Sequence, residues 1–305
     1  MVDAQQLSFS VVVTAPDGIQ ACRYLDAWIA ELAGTPGEII VADGSDKFID
    51  CSSGRLHHIH CPETSVQGLM TAGAAIALGD WVLLSEDHCR PLPAIIAQYR
   101  DRIEREPLAD LIAGTVDNLT SRGPWSFAIF AIGLSQFWRE AHLVPDTATN
   151  ANALFRRHAI APDELTVSGG LLNLTAPRLA HSGRLAICRT AVVDHVVHLD
   201  RGNAVDFEFA CTAGSINEYR ALAPLSLPAD IWDSIKRAIG CALIVPARVA
   251  RNLRGTSQSR LALLSRVTFV CVAVAWRLVL MDTKRLWGRR QSGRVAATTS
   301  PYPPA

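Results

Sequence analysis

The stretch Gly79-Asp80-Trp81-Val82-Leu83-Leu84-Ser85-Glu86-Asp87-His88-Cys89-Arg90-Pro91 decides how the chain is read. Four apolar residues run straight into three ionisable ones. A short apolar run bounded by turn residues reads as a strand buried on both faces of a parallel sheet. In open α/β sheets, ligands bind beyond the carboxyl ends of the strands, which is where Glu86, Asp87 and His88 then sit. Residues two apart on a strand point to the same side, so Glu86 and His88 share a side. A carboxylate and an imidazole so placed can hold a divalent metal.

Strand and helix signals alternate around this stretch. Phe9 to Ala15 is rich in β-branched residues and stops at the turn signal Pro16-Asp17-Gly18. Residues 21–32 carry apolar side chains at helical spacing. Residues 38–42 and 56–60 read as strands, 66–78 as a helix closed by Gly79, and 93–106 as another helix. This alternation predicts an α/β fold, a mostly parallel central sheet with helices on both faces. Further on, 111–116 and 186–197 read as strands, 127–137 and 205–219 as helices. No internal repeat is present.

The 305 residues are 49% apolar and 19% charged, enough for a sizeable core. The formal net charge is zero but unevenly spread. From Asp230 onward, 13 Lys or Arg stand against 3 Asp or Glu; the rest holds 16 against 26. The basic tail is also apolar over 231–249 and 261–280. Charges at Arg266 and Arg277 and the proline at Pro246 cut its apolar runs short of the ~20 residues that span a bilayer. Interfacial helices on a membrane surface are expected, with packing on the body as the alternative. The chain thus divides into a body, 1–229, a basic apolar helical segment, 230–290, and an unstructured tail, 291–305. Met1-Val2-Asp3-Ala4-Gln5-Gln6 lacks the features of a signal peptide. The eight cysteines show no C-x-x-C pair. Both observations point to a cytoplasmic setting, peripheral on the inner face of the membrane. Nucleic acid is not an expected partner.

Motif order over 80 residues resembles the family 2 glycosyltransferases, which have the nucleotide-sugar-binding fold called A type. The family's opening strand corresponds to Ser10-Val11-Val12-Val13-Thr14-Ala15-Pro16, its V-D-D-G-S strand to Val41-Ala42-Asp43-Gly44-Ser45, and its N-x-G-x-x-x-A-x-G-D segment to residues 71–80. Glu86-Asp87-His88, followed by Pro91, stands where members carry D-x-D, and is similar to a branch with E-D-H. The resemblance implies transfer of a sugar, with inversion, from a UDP-linked nucleotide-sugar donor to an acceptor hydroxyl on a glycan or lipid-linked molecule. It implies that Ala15 and Pro16 line the base pocket, that Asp43 accepts from the uracil, and that Asp87 lies beside the diphosphate. It implies a divalent metal, Mn or Mg, on Glu86, His88 and either His195 or His198; a turn-capping role for His88 without metal is the alternative. Asn152-Ala153-Leu154-Phe155-Arg156-Arg157 resembles N-x-x-x-R-R, which makes Asp163 or Glu164 the expected base, or else helix caps. Trp125 is a possible sugar-stacking residue. His57-His58-Ile59-His60-Cys61 falls on the third strand and is set aside as a metal site. A non-catalytic sugar-nucleotide-binding protein is the rival reading. A methyltransferase lacks its glycine-rich loop here.

Overall fold

The computed structural model describes residues 7–47, 50–62, 64–119, 123–139, 147–167, 170–197, 203–209, 212–213, 227–252 and 260–298. The chain forms two compact units, Met1–His198 and Leu199–Ala305.

The first unit follows the order β1 (Phe9–Ala15), α1 (Leu25–Glu31), β2 (Gly37–Asp43), β3 (Leu56–His60), α2 (Val66–Ile76), β4 (Trp81–Glu86), β5 (Cys89–Pro91), α3 (Ile95–Arg105), β6 (Leu111–Asp117), α4 (Pro124–Leu134), β7 (Ala153–Arg156), α5 (Ala176–His181) and β8 (Leu185–His195). These strands make one eight-stranded sheet, ordered β3-β2-β1-β4-β7-β6-β8-β5. The first four are parallel, as the strand–helix alternation predicts. β7 runs against both β4 and β6, β6 is parallel to β8, and β5 runs against β8. The α/β expectation holds, in a mixed sheet.

Helices cover both faces. Val12 meets α2, where a Cβ on Gly73 would come within 2.4 Å of Val12 Cγ1. The opposite face of β1 meets α3, with the Arg100 guanidinium 5.7 Å from the Phe9 ring centre. All seven residues of β1 are buried, as a strand covered on both faces requires. Each large apolar side chain buried in this way contributes about 1.5–3 kcal/mol.

Asn152 pins the second half of the sheet. It is fully buried and accepts a 2.6 Å hydrogen bond from Tyr99 Oη. Its amide donates to the carbonyls of Thr115 and Ala191 at 2.9 Å each. The β6–β8 register shifts between Gly114 and Thr115, which opens the space this side chain fills. A Cβ at Gly114 would lie 2.2 Å from Asn152 Nδ2, so only glycine fits there.

The second unit is helical: Leu227–Ile239, a π-helical stretch Gly240–Ile244, Val245–Asn252 and Arg260–Thr298. The described residues of 203–213 group with it, and Asp206 pairs with Arg277. The expected helix over 205–219 is helical at 205–209 and 212–213, and its other residues lie outside the described ones. No proline falls between Pro246 and Pro301, and the long helix runs on through Thr298. The segment expected to be an unstructured tail thus begins inside a helix, and 299–305 lie outside the described residues.

Candidate active site at the carboxyl edge of the sheet

The parallel strands converge on one edge. Register places Ala15 of β1 beside Asp43 of β2, and Thr14 beside Glu86 of β4. Asp43, Glu86 and Asp87 therefore flank the end of β1, and the Asp87 amide donates to Thr14 O at 3.0 Å. The turn after β1 folds back through Gly18, at φ 96°, where an L side chain is strained. Ala15 is buried and Pro16 is exposed on that turn.

Asp43 is 1% exposed. Its Oδ1 accepts from Ser45 N and Oγ at 2.8 and 2.6 Å, and its Oδ2 from Ile19 N at 3.2 Å. His58 Nε2 stands 2.9 Å from Oδ2, while Cys51 N–H donates to His58 Nδ1 at 3.2 Å. Nδ1 is an acceptor, so Nε2 carries the proton and donates to Asp43. Burial pushes the Asp43 carboxyl up, but the hydrogen bonds from Ser45, His58 and Ile19 outweigh it and hold it below 3.8. Four donors fill both oxygens, so Asp43 orders the Gly18–Ile19 turn and Ser45. The His57–His60 run is not a metal cluster: His58 supports Asp43, His57 pairs with Glu38 at 3.1 Å, and His60 Nε2 bonds Ser45 O at 2.8 Å.

The candidate metal-binding group is brought together by β5, a three-residue strand with no clear sequence signal. It pairs Cys89 with His195, and Val196 N donates to His88 O at 3.1 Å. His88 and His195 consequently face each other with Nε2 atoms 2.9 Å apart and rings nearly perpendicular. Glu86 Oε2 lies 3.4 Å from His88 Nε2 and 3.8 Å from His195 Nε2. Cys89 Sγ is 3.9 Å from the same oxygen. His198, the alternative third ligand, lies outside the described residues.

Two imidazole nitrogens sharing one ion at ~2.1 Å are separated by about 3.0–3.4 Å at the usual bond angles. The observed pair needs only slight opening to reach this. Asp87 Oδ1 holds His88 Nδ1 at 2.7 Å, which leaves Nε2 to face the site. Asn150 Nδ2 donates to Glu86 Oε1 at 2.6 Å, leaving Oε2 turned toward the histidines. The residues fit a divalent metal. Burial lowers the His88 imidazole, but the Asp87 hydrogen bond and the Glu86 and Asp87 charges outweigh it and raise it above 6.5. Burial and the neighbouring His88 push His195 well down, and burial raises Glu86. An aromatic wall backs the histidine pair: Phe130 lies 6.4 Å from the His195 ring, and Phe127 and Trp138 stack behind. Trp125 is half-buried in the first turn of α4.

The structure does not bring Asp163 or Glu164 to this site. β7 runs antiparallel to β4, so residues after Arg156 emerge beside Trp81, and Arg157 N donates to Asp80 O at 2.9 Å. That is the far end of β4, ~17 Å from Glu86 at strand rise. Asp163 is exposed there. Glu164 is buried and accepts from Arg178, Thr175 Oγ1 and Ala161 N at 2.7–2.9 Å. Its acidity follows: burial raises it, and the Arg178, Ala161 and Thr175 hydrogen bonds more than reverse this. Sequence reasoning missed Asn150, Cys89 and His58. Only His58 carried a signal, in the histidine run.

No family model and no curated protein match the chain. Similar solved structures include GalNAc-T7 with UDP, GalNAc and Mn²⁺, at 16% identity and TM-score 0.46, covering 65% of this chain and 45% of that one. The chain therefore spans under half the length of that protein. Residues 1–349 of TarS from S. aureus align at 12% identity and TM-score 0.44, covering 87% and 90%. A mannosyltransferase from Pyrobaculum calidifontis, in complex with GDP-Man and Mn²⁺, aligns at 12% identity and TM-score 0.43, covering 96% and 81%. The fold description rests on the strand order and register above.

Proposed function

We propose that the chain is an A-type glycosyltransferase of the branch with E-D-H in place of D-x-D. It moves a sugar from a nucleotide donor, UDP-linked, to an acceptor hydroxyl of a glycan or lipid-linked molecule. One observation supports this above others: Glu86, His88 and His195 converge at a strand's carboxyl end, across β1 from the ordered Asp43 turn. A bound Mn²⁺ or Mg²⁺ supplies neutralisation of the departing diphosphate. Asp87 and Asn150 orient the ligands. The Pro16–Ile19 turn, held by Asp43 and Ser45, walls the nucleoside side. Inversion at the anomeric carbon is part of this proposal, as is placement on the cytoplasmic face of a membrane.

The acceptor's proton needs a carboxylate on the same edge. Asp117, at the end of β6, pairs in register with Asp194, one residue before His195. Asp194 is taken up by Arg90 and Leu119 N. Asp117 Oδ1 accepts from Asn118 N and Trp138 Nε1, and its Oδ2 lies 3.8 Å from Arg139. Its Oδ2, 3.8 Å from Arg139 and so outside hydrogen-bond distance, is the oxygen we propose as base in place of Asp163 or Glu164. The displacement of those two residues favours a second reading, a sugar-nucleotide-binding protein without turnover. Titration with UDP, with and without Mn²⁺, tests the first. Binding strengthened by Mn²⁺, and insensitive to it in His88→Ala, is expected; no nucleotide binding overturns both readings. Hydrolysis of a UDP-sugar that Asp117→Asn abolishes then separates enzyme from binder.

A further inference from the structure

The long helix of the second unit presents uncharged side chains to solvent over residues 265–283. Between residues 262 and 283 the charged side chains are Arg266, Arg277 and Asp282. Arg266 and Arg277 are half-buried, Asp282 is buried, and Arg277 is paired with Asp206. The exposed positions are instead uncharged, among them Ser265, Phe269, Val272, Trp276, Leu280 and Thr283 at helical spacing. Val272 is 51% exposed and Trp276 64%. A surface helix normally shows its charges to solvent, and one apolar all round belongs in a core or a membrane.

A second row repeats the pattern. Trp232, Ile235, Ile239 and Leu243 stand three or four residues apart and are all exposed, Leu243 at 66%. Lys236, between them, lies over the Trp232 ring at 5.4 Å, and Arg237 pairs with Asp233. Apolar faces of this extent mark an interaction surface.

Length and charge identify the partner. Ala262–Arg285 is 24 residues, long and apolar enough to cross a membrane by length and composition. At its end and just beyond it, Lys284, Arg285, Arg289, Arg290 and Arg294 follow one another with no acidic residue between them. A polybasic run abutting an apolar helix matches the anionic headgroups of a bilayer. We infer that the second unit docks into an anionic phospholipid bilayer, the uncharged face of its long helix in the hydrocarbon and the 284–294 cluster at the headgroups. This does not rest on the transferase reading. The expected helical stretch 261–280 lies within the single helix Arg260–Thr298.

Co-sedimentation of the full chain with vesicles tests it, using phosphatidylcholine alone and phosphatidylcholine mixed with phosphatidylglycerol. Val272→Asp is expected to lower the vesicle-bound fraction on both by tenfold or more. Lys284→Gln with Arg290→Gln is expected to lower it only on the mixture, about fivefold for each charge. Circular dichroism matching the parent confirms that each variant folds. Equal binding of all variants, or no binding of the parent, overturns the inference. So does a parent dimer in solution that Val272→Asp splits, since a second copy then covers the face.

Discussion

At the amino end of β4, Trp81 lies under the Arg156 guanidinium, 4.6 Å from the ring centre. Arg156 also donates to the carbonyls of Pro107 and Ala109. Beside it, Ser8 N and Oγ donate to Asp80, and Ser10 Oγ and Leu78 N to Glu38. Glu164 nearby has four donors on two oxygens. At the carboxyl end of the same strand, two imidazole nitrogens point at each other and at one carboxylate oxygen. The first arrangement is complete without a ligand. The second brings three acceptor-capable atoms together at one point, an arrangement that a cation can fill. Saturation marks structure; convergence of like groups marks a site.

The largest effects should come from the convergent end. Glu86→Ala and His195→Ala are expected to lower sugar-transfer turnover about 10²–10³-fold with folding intact, read by steady-state kinetics. Asp87→Asn, which loosens only the second ring nitrogen of His88, should weaken Mn²⁺ binding about 10–100-fold by calorimetry. If these variants bind metal like the parent, the contrast between the two ends is lost.

The saturated end should respond in stability instead. Glu164→Ala is expected to lose about 2–3 kcal/mol in urea unfolding and to leave the kcat of the folded protein unchanged. A collapse of kcat without loss of stability would return Glu164 to catalysis. The pH dependence carries a definite sign. Glu164 titrates below its ordinary 4.5 in the folded chain, so its contribution is complete above that value and fades as pH falls through the lower folded value. Glu164→Gln should therefore flatten the acid side of a stability profile.

Two smaller effects sharpen the comparison. Gly114→Ala forces a methyl group onto Asn152 and Tyr99 and should lower stability by about 1–3 kcal/mol. His58→Phe removes one of the four donors to Asp43 and should cost about 1 kcal/mol and weaken UDP binding less than tenfold.

Much of the first unit was legible because strand and helix periods are local. Phe9–Ala15 and Leu56–His60 match their expected bounds, and the motif order led to Glu86 and His88, with His195 or His198 left as alternatives for a third ligand. Asp163 and Glu164 were misplaced because N-x-x-x-R-R reports a segment, not its direction. The antiparallel course of β7 is set by pairing with β4 and β6, which no local pattern encodes. Asn150 and Cys89 carried no signal, since each acquires its role from a neighbour distant in sequence.

By itself, the sequence determined the alternating elements, the ionisable cluster ending the fourth strand, and the basic apolar tail. Each depends on composition and spacing within a few residues. Tertiary structure alone decided that three residues of β5 bring His88 to His195, that β7 carries Glu164 away, and that the long helix leaves an uncharged face exposed over residues 265–283. These depend on which surfaces pair, and pairing is a property of the packed chain.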